Sequence, residues 1–237
     1  MKKILLLVLN VDYALLSHRI DIAIAAKKNG YEVHVACGIT ERKETLLMHG
    51  FIVHDTKSTR CGLNFFKEAA VFFRIFFLLK NLSPDVIHLI TIKPMVYGGI
   101  ASKLLRIKGI IFSVSGLGYI FSSNQWKAKI LKKIMKPIYR FIFSIEKSSV
   151  VLQNKDDTKF LTSSGILNED KVIYIPGSGF QPHKVIIKKE PKKYNVLMAS
   201  RMLQDKGVFE FISASKKVAE VFPDVKFTLA GGFDKEN

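Results

Sequence analysis

Arg201, Lys206 and Gly207 stand where LMASRMLQDKGVFEFISAS passes from an apolar strand pattern to an amphipathic helical one. Two cations at a strand-to-helix turn suit a diphosphate. Arginine offers a planar fork, lysine a point charge, and a helix N-terminus adds unpaired N–H groups. Two solvated cations on an ordinary loop would show the same spacing. A second stretch, SVSGLGYIF (Ser113–Phe121), also follows a strand-like run. Gly116 and Gly118 allow a ligand close to the backbone, with Leu117 and Tyr119 beside them, and an ordinary turn would use the same glycines. No G-x-G-x-x-G fingerprint occurs, and the first βα turn, NVDYALLSHR, has no glycine. A third stretch, HLITIKP, places His88 near a strand end with Thr91 and Lys93 just beyond. A lone strand histidine is more often a satisfied core residue than a functional one, and His18 and Arg19 carry the same two readings.

The elements that would position these residues alternate. Strands are expected at Lys3–Leu9, Glu32–Ala36, Phe51–His54, Asp85–Ile90, Ile110–Val114, Ser149–Gln153 and Val172–Ile175. Helical spacing fills Leu15–Asn29, Thr40–His49, Asn64–Leu82, Pro94–Leu105 and Gln125–Phe143, the last with a kink at Pro137. Continuous apolar strands such as ILLLVL and VIHLI suit burial on both faces of a parallel sheet. The expected fold is α/β: a complete Rossmann-like domain over 1–180, a linker at 181–193 and the beginning of a second Rossmann-like domain over 194–237. The linker reading rests on IPGSGFQPHKVIIKKEPKKYN, with three prolines, two glycines and a run of lysines. After it come strand Asn195–Ser200, helix Lys206–Phe222 and strand Lys226–Ala230. So few elements cannot close a sheet, and the second domain reads as cut short.

Lysine and arginine number 37 against 20 acidic residues, a formal charge of +17. That excess favours anionic partners and leaves phosphorylated small molecules, nucleic acid and anionic lipid open. No helix-turn-helix, zinc or RNP pattern supports nucleic acid. MKKILLLVLN is too short in its apolar run for a signal peptide and reads as a buried strand. No stretch spans a membrane, and the two distant cysteines, Cys37 and Cys61, fit a reducing cytoplasm. Two helices are both basic and apolar. NFFKEAAVFFRIFFLLKNL carries six phenylalanines, and QWKAKILKKIMKPIYRFIFS sets Lys127, Lys129, Lys132, Lys133, Lys136 and Arg140 beside Trp126, Ile130 and Ile134. Such helices lie on anionic lipid or pack an apolar face on a core with the basic face in solvent.

Arg201-x4-Lys206-Gly207, taken in order with HLITIKP, SVSGLGYIF and IPGSGF, resembles the bacterial family-4 glycosyltransferases of GT-B fold. The nearest branch extends lipid-linked oligosaccharides, as in N-acetylgalactosaminyl transfer onto undecaprenyl-diphosphate sugars. The resemblance implies that Arg201 and Lys206, with Gly207, hold the diphosphate of a nucleotide sugar, usually UDP-linked, and neutralise the leaving group. It implies that Gly116, Leu117, Gly118, Tyr119, His88 and Lys93 lie on the acceptor side. It further implies retention of anomeric configuration, no metal and no cofactor beyond the nucleotide-sugar substrate. The protein would sit peripherally on the inner face of the cytoplasmic membrane. The glycine-free first loop matches the lipid-linked branch. The family's E-x7-E element, which contacts the donor sugar, falls beyond Asn237, so these 237 residues are expected to be inactive alone. A non-catalytic membrane-associated remnant and a GT-B relative of the UDP-sugar 2-epimerases are the other readings.

Overall fold

The sequence ILLLVLNV, Ile4–Val11, forms β1, and six of its eight residues are buried. A strand buried on both faces needs apolar residues at every position, and this one lies inside its sheet with a strand on each side. The protein is seen here in a computed structural model that describes residues 2–59, 64–117, 126–177, 179 and 194–232, apart from the side chains of 127–129 and 205.

Two compact units divide the chain, Met1–Gly179 and Phe180–Asn237. In the first, β1 leads into α1 (Asp12–His18), α2 (Ile20–Lys28), β2 (Glu32–Gly38), α3 (Lys43–Met48) and β3 (Ile52–Asp55). There follow α4 (Phe65–Leu82), β4 (Val86–Ile90), α5 (Ile92–Leu104), β5 (Ile110–Val114), α6 (Trp126–Phe143), β6 (Ser148–Leu152), α7 (Lys155–Ser163) and β7 (Val172–Tyr174). The seven strands are ordered β3-β2-β1-β4-β5-β6-β7, every pair parallel. The chain builds outward from β1 to β3, then crosses back and builds β4 to β7 on the other side. Leu6, Val8, Ile87 and Leu89 face a core with Val71, Ile75, Ala101 and Tyr139, whereas Leu5, Leu7 and Leu9 face Leu15, Ala23 and Leu46. Each fully buried leucine of β1 contributes roughly 2–3 kcal/mol of transfer free energy.

Local chemistry sets the helix ends. The Asn64 side chain accepts from the Lys67 amide at 3.1 Å and starts α4, and Ser83 in the left-handed region ends it. Asn154 starts α7 by accepting from the Asp157 amide at 2.6 Å. The carboxyl end of α6 is closed by Lys171, whose Nζ donates to the carbonyls of Phe143 at 2.8 Å and Ile145 at 2.6 Å. α6 runs through Pro137. The expected single helix Leu15–Asn29 is two: α1 starts earlier, at Asp12, and the chain breaks at Arg19 (φ −135°, ψ 2°) before α2. The apolar spacing runs on across the break, so periodicity does not reveal it.

The second unit holds β8 (Asn195–Ala199), α8 (Val208–Val221) and β9 (Lys226–Ala230), with β8 and β9 parallel.

Candidate functional site

In an open parallel sheet, ligands gather at the carboxyl ends of the strands where successive crossovers diverge. Here that point lies between β1 and β4. Asn10 is in the last turn of β1's pleat, and Thr91 follows β4 as the residue before α5. Both carry a buried side-chain oxygen, Asn10 Oδ1 and Thr91 Oγ1, that meets no hydrogen-bond partner. Leaving such an atom unsatisfied costs about 1–3 kcal/mol, and native structures seldom tolerate it. The third such atom among the described residues, Ser102 Oγ, lies eleven positions along α5 from Thr91, about 16 Å by helical rise. Thr91 is also strained. Its φ of 74° with ψ of 164° is a region used almost only by glycine, and a β-branched residue there costs about 1–3 kcal/mol. Unsatisfied oxygen and backbone strain therefore coincide at the switch point, which sequence patterns could not show.

His88 stands on β4, 5% exposed. Its Nε2 lies 2.7 Å from Ser113 Oγ on the neighbouring strand β5. Burial pushes its pKa down to about 4, and the positive charge of Arg19 adds to the shift. The imidazole is therefore neutral at pH 7. Arg19 is 7% exposed, turned inward by the break between α1 and α2, and burial lowers its pKa too. A buried guanidinium near a neutral imidazole places a fixed positive charge at this edge. Asp12, fully buried at the start of α1, accepts from the amides of Tyr13, Thr40 and Arg42 at 2.8, 2.8 and 3.1 Å, and from Thr40 Oγ1 at 2.6 Å. Burial alone would raise its pKa, but these hydrogen bonds outweigh it and hold the carboxyl below its ordinary value. Asp12 thus pins the loop after β2 to the end of β1. Cys37 is buried, and its thiol is pushed up to about 12 by burial with Asp12 and Asp55 nearby, so it offers no thiolate.

The other residues expected on the acceptor side are dispersed. Lys93, on the first turn of α5, pairs with Glu68 of α4 at 2.6 Å, and Tyr97 donates to the same carboxylate at 2.7 Å. Burial and that carboxylate raise the Tyr97 pKa. Gly116 has φ 132° with open space where a Cβ would stand, a conformation that favours glycine. The Leu117 side chain belongs to the core, 4% exposed, and its amide donates to Asp157 Oδ2 at 3.0 Å. Gly118 and Tyr119 lie outside the described residues. A further cluster was not singled out by sequence. His34 Nδ1 lies 2.8 Å from His54 Nε2, and His34 Nε2 lies 2.9 Å from Glu32 Oε1. Only the pairing of β2 with β3 brings these rings together.

In the second unit, Arg201 follows β8 and is exposed, as is Lys206. Lys206 and Gly207 do not open the helix as expected. Gln204–Lys206 form a 3-10 turn, and Gly207 caps α8 in the left-handed region (φ 79°, ψ 25°). Only glycine adopts that geometry without strain, so the turn itself requires Gly207. Glu210 lies in the first turn of α8, where it already answers part of the helix's positive end.

Residues 3–154 match the family described as glycosyl transferase 4-like. The chain is 27% identical over 231 residues to the N,N'-diacetylbacillosaminyl-diphospho-undecaprenol alpha-1,3-N-acetylgalactosaminyltransferase of Campylobacter jejuni. The match covers 92% of this chain and spans 60% of that relative's length. Among solved structures, a glycosyltransferase from Rickettsia africae superposes with a TM-score of 0.59 at 16% identity, over 99% of this chain and 69% of that one. Anabaena HepE, solved with UDP and glucose, gives 0.63 at 17% over 98% and 62%. The UDP-N-acetylglucosamine 2-epimerase of Rickettsia bellii gives 0.61 at 11% over 97% and 62%. At such identities the structures speak for a shared GT-B-like α/β fold.

Proposed function

The chain belongs to the glycosyl transferase 4-like family, and from that premise we propose that it acts in transfer of a sugar from a UDP-linked donor to a lipid-linked saccharide. The anomeric carbon leaves the diphosphate oxygen and joins an acceptor hydroxyl oxygen, with retention of configuration. Arg201 and Lys206 meet the charge that grows on the departing diphosphate. The acceptor saccharide takes the carboxyl edge of the first unit, where Gly116, Leu117, Gly118, Tyr119, His88 and Lys93 were expected. The observation that carries this reading is the pair of buried oxygens, Asn10 Oδ1 and Thr91 Oγ1, without partners at the switch point. Sugar hydroxyls are donors of the right kind to satisfy them. His88 held neutral beside Ser113 keeps that edge free of a titrating charge at pH 7.

The test uses a polyprenyl-diphosphate-linked saccharide with a panel of UDP-sugars, read by saccharide binding and by product mass. No E-x7-E pair occurs in these 237 residues, so binding is the primary readout for the chain alone, with multiple turnover expected to be slight. Asn10→Ala and Thr91→Ala should each weaken acceptor binding about 10-fold, the worth of one to two neutral hydrogen bonds. If the chain neither binds the acceptor nor transfers to it with any UDP-sugar, this reading is wrong.

Among the described residues, no helix is long and apolar enough to cross a membrane. A peripheral contact with the cytoplasmic membrane is proposed at α6, where Trp126, Ile130 and Ile134 are 67%, 51% and 53% exposed beside Lys132, Lys133 and Lys136. Binding to anionic vesicles should weaken as salt rises, because screening shortens the reach of each lysine. Changing those three lysines to glutamine should remove most of it in a flotation assay. Binding indifferent to salt and to the substitutions would discard α6 as the contact.

A further inference from the structure

Among the described residues, Arg19 is the only lysine or arginine that the fold buries, at 7% exposed. Arginine does not give up its proton in a protein, and a buried guanidinium is tolerated when an anion meets it. Among the described residues its side chain makes no ion pair and no hydrogen bond. Burial lowers its pKa, and no carboxylate offsets that shift. The acid at the same edge, Asp12, is committed to the donors of Tyr13, Thr40 and Arg42. Leu15, Arg19 and Ala23 stand four residues apart, and the break between α1 and α2 falls on the middle one. Leu15 and Ala23 enter the core, and the arginine is turned in with them.

The charge of Arg19 reaches His88, whose ring is held on Ser113. β1 pairs Leu7 with His88 of β4, and Asn10 and Thr91 each stand three residues beyond that pair. The two partnerless oxygens therefore lie about 10 Å along the strands from the ring that feels the arginine. One edge thus offers a fixed cation, a neutral ring and two acceptors in want of hydroxyl hydrogens. The charge count selects the anion. One guanidinium supplies a single positive charge, and His88 adds none at pH 7. A phosphomonoester carries about −1.5 to −2, more than this site balances. A carboxylate carries one negative charge and meets the planar fork with two parallel hydrogen bonds. We propose that the Arg19 guanidinium binds a sugar carboxylate, so that the saccharide held at this edge is an acidic one of the hexuronic acid class. The proposal rests on the reading of this edge as a saccharide site and adds the charge of the sugar it selects.

The test measures binding of two pairs of methyl glycosides to the 237-residue chain by calorimetry: glucuronide with glucoside, and galacturonide with galactoside. Glucose 6-phosphate is the third arm, and urea unfolding of each ligand-free variant runs beside it. In at least one pair the acid should bind about 10-fold more tightly than its neutral partner, the worth of one charge-assisted contact. Arg19→Met should cut that preference below about twofold. Arg19→Lys should keep part of it, since an ammonium supplies the charge without the fork. Ligand-free Arg19→Met should unfold at a urea midpoint equal to or above that of wild type, because it removes a buried charge and keeps the length of the stem. A lower midpoint means that Arg19 has a partner within the chain, and it overturns the proposal. Equal affinities within both pairs overturn it too, and so does glucose 6-phosphate binding more tightly than either uronide, which gives the cation to a phosphate. Neutral glycosides that bind as well as the acids leave the saccharide edge standing and remove only its preference for acid. If no glycoside binds, the saccharide reading of the edge fails with the proposal. Uronide binding that depends on Arg19, without transfer from any UDP-sugar, keeps the site and removes the transferase reading.

Discussion

Alanine at Arg201 or at Lys206 is expected to weaken UDP binding about 10-fold each and both together about 100-fold. A hydrogen bond to a charged group contributes roughly 1.5–3 kcal/mol, and both side chains are exposed, so solvent screening puts each at the lower end of that range. Transfer should suffer more than binding, since charge on the diphosphate grows as the glycosidic bond breaks. Arg201→Lys should not restore the wild-type affinity, because an ammonium cannot reproduce a planar two-pronged contact. Lys206→Arg should keep more, since a point charge is replaced by another cation. Calorimetric titration of UDP into the five variants decides it. Affinities within a factor of two of wild type would place the diphosphate elsewhere.

Acid should destabilise the first unit well above the range where carboxylates protonate. His88 has a folded pKa of about 4 against an ordinary value of 6.5. The unfolded chain therefore takes up the proton first. Stability contributed by the neutral imidazole is complete above pH 6.5 and drains away as pH falls towards 4. The gap corresponds to about 3 kcal/mol at most. His54, also lowered by burial and by His34, acts in the same direction. Asp12 and Asp55 are held below their ordinary value of 3.8, so their losses come at still lower pH. Urea unfolding of wild type at pH 7 and pH 5 should show a marked drop in midpoint. His88→Gln keeps a partner for Ser113 without a titrating ring, and should show a much smaller drop. A wild-type midpoint that does not move between those pH values would contradict a buried neutral His88.

The strands were legible because a parallel sheet buried on both faces leaves little choice of residue: ILLLVLNV and VIHLI read as strands without help from context. Helix Phe65–Leu82 was legible from its spacing and its Asn64 cap. The switch point was not. Asn10 and Thr91 are 81 positions apart and become neighbours only when β1 pairs with β4. The left-handed backbone of Thr91 has no signature in a residue type that ordinarily avoids it. Nothing in NVDYALLSHR marks Asp12 as a pin, since the groups that hold it, Thr40 and Arg42, lie 28 and 30 residues away. The inward turn of Arg19 is likewise tertiary, as the apolar spacing runs through it unbroken. His88 could be read as a strand histidine, but neither its Ser113 partner nor the Arg19 charge could be inferred from HLITIKP. The outer face of α4 was visible as six phenylalanines, yet only the position of β3 sets an open groove beside Phe73 and Phe77.

The interior place of β1, between β2 and β4, also carries a schedule for synthesis. This interior strand is made before the other strands of its sheet, and its β4 side is closed by residues 86–89, with the Ile4 amide held by Asp85 Oδ2 at 2.7 Å. At roughly 5–20 residues per second, a ribosome needs on the order of 4–16 s to reach those residues after β1 has been made. For that interval ILLLVL has β2 as its one sheet neighbour and presents an open edge of unpaired backbone groups between apolar side chains. The nascent chain is thus most adhesive around β1, and the lysines at positions 2 and 3 stand directly before that edge. Like charges of that kind discourage edge-to-edge pairing between neighbouring nascent chains until the crossover from β3 to β4 arrives.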